Sequence, residues 1–165
     1  MKRQLLTGMA LAAAGALALA GCSGGASEGD AEATGFKIGI NQLVQHEALD
    51  AAAEGFKAAL KDAGVEVTYD EQNANGEQGT AVTIAQKFAQ DNLDLVLAIA
   101  TPAAQASAQA ITDIPVLFTA VTDPVEAGIV ADWDAPGANV TGVSDLNPVK
   151  EQLQLMLDIV PDAKT

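Results

Sequence analysis

The chain has 165 residues, 49% of them hydrophobic and 18% charged, which suits one compact domain and argues against a disordered segment. Aromatic residues make up only 4%, so any core must be built mainly of Ala, Val, Ile and Leu. The formal charge is −14, and a body this acidic repels phosphates, which argues against nucleic acid as a partner.

Lys2 and Arg3 form a positive start, residues 11–20 an apolar stretch too short to span a bilayer, and Leu19, Ala20, Gly21 and Cys22 close the segment. This order resembles the lipobox of bacterial lipoproteins, with residues 1–21 as signal peptide and a lipid on the Cys22 thiol. The other reading is an ordinary signal peptide cut at a small-residue site, with Cys22 incidental. Removing Lys2 and Arg3 takes the charge from −14 to −16. Cys22 is the only cysteine, so its use as an anchor leaves no thiol for disulfide, metal or nucleophilic chemistry. The Ser, Gly, Ala and acidic residues up to 35 read as a flexible tether, giving 22–35 as lipidated cysteine and linker.

From Phe36 the pattern becomes that of a folded domain. Phe36, Ile38 and Ile40 alternate as a first strand continuing to Val44. Leu49, Ala52, Ala53, Phe56, Leu60 and Ala63 then recur at helical spacing, closed by Gly64. Val65, Val67 and Tyr69 form a second strand, and a polar loop is expected over 70–79. Ala81, Ile84, Ala85 and Phe88 give the stripe of a second helix. The run 95–100 is short and wholly apolar, as in a parallel strand covered on both faces. Thr101 offers a helix N-cap hydroxyl, Pro102 stands where no N–H is needed, and a third helix follows over 103–110. Pro115 introduces a fourth strand over 116–121, residues 125–130 form a short helix or turn, and 139–143 is a fifth strand. Strands alternate with crossover helices, so the fold class is α/β, a doubly wound parallel sheet.

Three strand ends share one chemistry: Thr101-Pro102 after the third strand, Thr122-Asp123-Pro124 after the fourth, and Ser144 to Pro148 after the fifth. In a parallel sheet these turns lie on one edge, where helix N-termini attract anions and small ligands bind. Candidate ligand-binding residues are therefore Gln42, His46, Thr101, Pro102, Ala103, Ala104, Val121, Thr122, Asp123 and Asp145. Thr101 and Asp123 also have the form of simple helix caps, and His46 that of a solvated surface residue. Trp133 has Asp132, Asp134 and Pro136 around it and reads as a surface loop. No metal site or cofactor motif is expected: no dinucleotide fingerprint follows the first strand, and 73–79 lacks the Lys-Ser/Thr ending of a phosphate loop.

Val149, Leu153, Met156, Leu157 and Val160 form a last apolar stripe, stopped by Pro161. A helix so amphipathic needs a surface to cover it. The expectation is a lobe over 36–143, followed at 144–165 by a hinge and the first helix of a second, truncated lobe.

The set I-G-I-N-Q at 38–42, A-L-D-A-A-A-E-G-F-K at 48–57, T-I-A-Q-K-F at 83–88, A-I-A-T-P-A-A-Q at 98–105, F-T-A-V-T-D-P-V at 118–125 and N-V-T-G-V-S-D at 139–145 resembles the substrate-binding lipoproteins of ABC transporters. Within them it is similar to the tryptophan/tyrosine-type binding proteins. The resemblance covers essentially the whole chain, but lacks nearly all of the second lobe. It implies the first lobe of a two-lobed type I periplasmic-binding fold, closing on a small, amino-acid-like ligand that is passed to a membrane permease. An extracytoplasmic, membrane-anchored location follows. For such a ligand, Thr101 with the Ala103 and Ala104 amides would take a carboxylate, and Asp123 or Asp145 an ammonium. Two alternatives stand beside this non-enzymatic importer component. One is a lipid-anchored ligand sensor; the other is an extracytoplasmic enzyme using Asp123 and Asp145, although one histidine and the absence of G-x-S-x-G or H-E-x-x-H weigh against it.

Overall fold

A computed structural model describes residues 35–163; the signal-peptide, Cys22 and linker expectations lie outside the described residues. The elements are β1 (Phe36–Gln42), α1 (Glu47–Asp62), β2 (Val67–Asn73), α2 (Gln78–Phe88), β3 (Leu95–Ile99), α3 (Thr101–Ala110), β4 (Val116–Val121), β5 (Val140–Ser144) and α4 (Val149–Ile159). All five strands are parallel, in the order β2-β1-β3-β4-β5. The doubly wound α/β sheet expected from the alternation is the fold observed.

The period of two along β3 sorts its residues onto two faces. Val96 and Ala98 join Ala81, Ala85 and Phe88 of α2 and Ala104 and Ala106 of α3 in one core, while Leu97 and Ile99 join Ala53 and Phe56 of α1 on the other side. The four residues proposed as the inner stripe of α2 are all buried. Phe88 is the largest fully buried side chain, and it sits directly on β1. Gly39 makes this possible, since a Cβ there would lie 2.9 Å from the Phe88 ring and 2.8 Å from Leu93 Cδ1.

Two boundaries differ from expectation. β1 stops at Gln42 rather than Val44, because the chain turns out after Leu43 and leaves Val44 exposed. β2 continues through Asp70 to Asn73, where a loop was expected. It is an edge strand, so its polar residues find partners off the sheet: Lys87 pairs with Asp70, and Lys57 with Glu71. Of the short helix or turn expected after β4, the structure has the turn, at 124–128.

Coverage of the sheet is uneven. On the α1 side a 390 Å³ groove stays open over β4 and β5, lined by Phe56, Leu97, Leu117 and Val143 among others. No residue of α4 is buried, and Leu153, Met156 and Leu157 are 53%, 45% and 41% exposed. The amphipathic stripe is present, and among the described residues nothing buries it.

Candidate functional site

The strand order fixes where a crevice must lie. The chain moves from β1 outward to β2, then crosses back to β3 and proceeds the other way, so the connections leaving β1 and β3 diverge onto opposite faces. In open α/β sheets this divergence opens a cleft outside the carboxyl ends of those two strands. That rule places the cleft beside Gln42 and Leu43 at the end of β1 and Ala100 and Thr101 at the end of β3. Two helices begin beside it, α1 and α3, and each brings the positive end of its dipole to the same edge.

Each begins in its own way. Extended His46 is the N-cap of α1, and its Nδ1 accepts the Ala48 N–H at 3.2 Å. The helix α3 starts one residue earlier than its sequence suggests: Ala100 is the N-cap, Thr101 the first helical residue, and no side chain caps the helix. The expectation that Thr101 caps α3 is therefore corrected, and its hydroxyl is left uncommitted. Ala100 stands at φ 83° and ψ 152°, a conformation adopted almost solely by glycine. Its N–H donates to Thr119 O, and its carbonyl accepts the Ala104 N–H, both at 3.0 Å. The Ala104 amide is thus occupied. Pro102 has no N–H and Ala103 is fully buried, so the amide this helix start presents is that of Thr101 rather than those of Ala103 and Ala104.

The other candidates fall on the same edge with different degrees of access. Gln42 is 8% exposed, and its Nε2 donates to Val44 O at 2.9 Å and Asp50 Oδ1 at 2.6 Å. Asp50, in the first turn of α1, is a neighbour the sequence reading missed. Beside it a 270 Å³ depression is lined by Gln42, Gln45, Asp50 and Glu71. Val121, Ala103 and Ala104 are fully buried, backbone included, so they present neither side chain nor amide at the surface of the edge. Thr122 is exposed and Asp123 half-buried. One oxygen of Asp123 is spent locally, with Oδ1 accepting the N–H groups of Val125 at 3.0 Å and Glu126 at 2.9 Å. Asp145 is exposed and its N–H donates to Val121 O, while Ser144 Oγ donates to Thr122 O at 2.6 Å. These bonds bring the ends of β4 and β5 together beyond a bulge in which three steps of β4, Phe118 to Val121, match two of β5, Gly142 to Ser144.

The structure thus gathers the ten candidates along one edge, with Gln42, His46 and Thr101 nearest the cleft and Asp123 and Asp145 toward the β5 end. A helix N-terminus that presents the Thr101 amide and hydroxyl suits an anionic group, and the carboxylates along the same edge suit a cation. A zwitterion satisfies both. The resolved pKa shifts lie elsewhere, on the β2 flank. There the bond from Lys87 holds the Asp70 carboxyl low, with Gln72 helping, and Asp70 in turn raises Lys87. Among the described residues no three metal-ligating side chains converge, and no helix is long and apolar enough to cross a membrane. Trp133 is half exposed, in a loop where Asp132 Oδ1 accepts the Asp134 and Ala135 N–H groups.

A parallel sheet with a switch-point cleft and helix starts at its mouth defines a small-ligand-binding α/β lobe. The model of the ABC transporter substrate binding protein family matches residues 37–165, and the chain belongs to that family. It is 47% identical over 131 residues to a tyrosine-binding protein of Clostridioides difficile, covering 77% of this chain and 38% of that protein. Among solved structures it resembles a Streptococcus ABC domain in complex with L-Trp, with TM-score 0.75 and 40% identity, over 79% of this chain and 45% of that one. It also resembles the ligand-free, open structure of a substrate-binding protein with adhesive properties from Clostridium difficile, with TM-score 0.72 and 48% identity, over 78% and 45%. The chain spans less than half the length of each of these relatives.

Besides Asp50, the sequence reading passed over Ala100, Asn41 and Ser107. Ala100 carries no signal, since nothing in an alanine announces a positive φ. Asn41 did carry one: it is a polar residue inside a strand that packs on both faces.

Proposed function

We propose that this chain supplies the ligand-facing first lobe of an extracytoplasmic solute-binding component of an ABC importer, selective for an aromatic amino acid. The observation that carries the reading is the switch point between β1 and β3, with the start of α3 and the Thr101 amide and hydroxyl beside it. The tyrosine-binding relative and the L-Trp complex support the ligand class. The carboxylate of the amino acid would lie at the start of α3, held by the Thr101 amide and hydroxyl. Its ammonium would face the carboxylate side of the edge, where Asp145 and the free oxygen of Asp123 stand. Gln42 and His46 would border the ligand from the α1 side. Residues 144–165 act as hinge and first helix of a second lobe, whose closure over the ligand makes the form a permease recognises. Cys22 carries the lipid that holds the protein at the outer face of the membrane. Deleting the gene is expected to lower uptake of tyrosine or tryptophan; unchanged uptake of both would remove the importer role.

A further inference from the structure

Asn41, next to the end of β1, is fully buried, and its Nδ2 grips two helices. It donates to the carbonyl of Ala81 in the first turn of α2 at 3.1 Å and to Oγ of Ser107 in the second turn of α3 at 3.3 Å. Ser107 is fully buried as well, and Asn41 Oδ1 is buried with no partner among the described residues. Such a group is a poor device for stability. An orphaned carbonyl oxygen costs its lost hydration, while an apolar side chain of similar size would fill the space without that cost. What the amide adds is direction, because two donors 120° apart on one rigid plane set two helices against one strand.

The geometry points to Asn41 as a positioning residue of the candidate site. It holds the first turn of α2 and the second turn of α3 against the end of β1, and so fixes Thr101, at the start of that same helix, relative to Gln42. The last link, from the position of Thr101 to ligand, rests on the function proposed above; the first link, from Asn41 to α3, does not.

The test uses the full chain with Asn41→Leu and Ser107→Ala, read by thermal unfolding, hydrogen exchange of the Ala104 amide, and tyrosine titration. Asn41→Leu is expected to unfold within about 3 °C of the parent or above it. Its Ala104 amide, which closes the first turn of α3, should exchange roughly tenfold faster or more while protection in β3 is kept. Ser107→Ala, which removes only the α3 end of the clamp, should raise exchange at Ala104 in the same direction. Tyrosine binding should weaken by roughly tenfold in Asn41→Leu. Unchanged Ala104 exchange in both variants overturns the proposal. So does a loss of stability in which Ala104 exchange merely follows global unfolding, because that is the mark of an ordinary core residue; if Asn41→Leu does not fold, Ser107→Ala alone decides. A parent chain that shows no saturable tyrosine binding would remove the ligand assignment, and the exchange result would still decide the role of Asn41.

Discussion

Replacing Ala100 by glycine tests whether strain is held at the mouth of the cleft. At φ 83° and ψ 152° the alanine Cβ is crowded by its own backbone, at a cost of about 1–3 kcal/mol. The surroundings enforce the conformation: the Ala100 N–H is fixed on Thr119 O, its carbonyl on the Ala104 N–H, and Pro102 follows within the first turn of α3. Glycine would release the strain and lose about 0.5–1 kcal/mol through its greater freedom in the unfolded chain. The net expectation is a gain of about 0.5–2 kcal/mol, a rise in Tm of roughly 2–8 °C for a body of this size. Calorimetry and urea titration would measure it, with an unchanged m-value showing that the unfolded state is the same. Ala100→Val provides the opposite sign, since a β-branched side chain is least able to adopt a positive φ. A loss of more than about 1 kcal/mol in the glycine variant would refute the reasoning, because it would mean that Ala100 bears no strain to relieve.

Three further outcomes follow from the packing. Phe88→Ala should cost about 3–5 kcal/mol in urea titration, since it empties the largest buried site between α2 and β1; a loss below about 1 kcal/mol would show that the core does not depend on it. Asp70→Asn should cost no more than about 1 kcal/mol at neutral pH, because the pair with Lys87 is partly solvated, with side chains 33% and 48% exposed. The folded-state pKa of Asp70 is lowered, so its contribution is complete above the unfolded value near pH ~4 and fades as pH falls through the folded value; the variant and parent should converge below that range, and a gap that widens on acidification would contradict the assignment. Leu153→Lys combined with Met156→Lys should reduce binding of an apolar dye without moving the Tm of the sheet by more than about 2 °C, as α4 buries nothing; a larger fall would show that α4 is packed.

The parts of the fold that the sequence made legible are those where one physical demand acts alone. The run 95–99 is apolar because β3 is covered on both faces, and the α2 stripe is clean because only one side of that helix meets the sheet. The β2 extension was hidden because an edge strand need not be apolar: Asp70 to Asn73 are satisfied by lysines from α1 and α2 and by solvent. The start of α3 was misplaced by one residue because Thr101-Pro102 has ideal capping chemistry, yet the turn is made by an alanine forced to positive φ. The edge itself was legible because Thr-Pro, Asp-Pro and Ser-Asp recur after successive strands. Which amide remains open was not, since that depends on the Ala104 bond to Ala100 and on the burial of Ala103. Asn41 and Asp50 escaped for the same reason, each acting through a partner far away in sequence or on another element.

The most direct test of the ligand-site assignment is an amide-resolved NMR titration of the chain with L-tyrosine. Saturable shifts are expected, concentrated at Gln42 to His46, at Ala100 to Ala103 and near Asp123 and Asp145, with L-tryptophan producing the same map. Thr101→Val should weaken the binding roughly tenfold by removing the hydroxyl from the carboxylate site. Saturable shifts confined to the groove over β4 and β5, or none at millimolar tyrosine, would contradict the assignment.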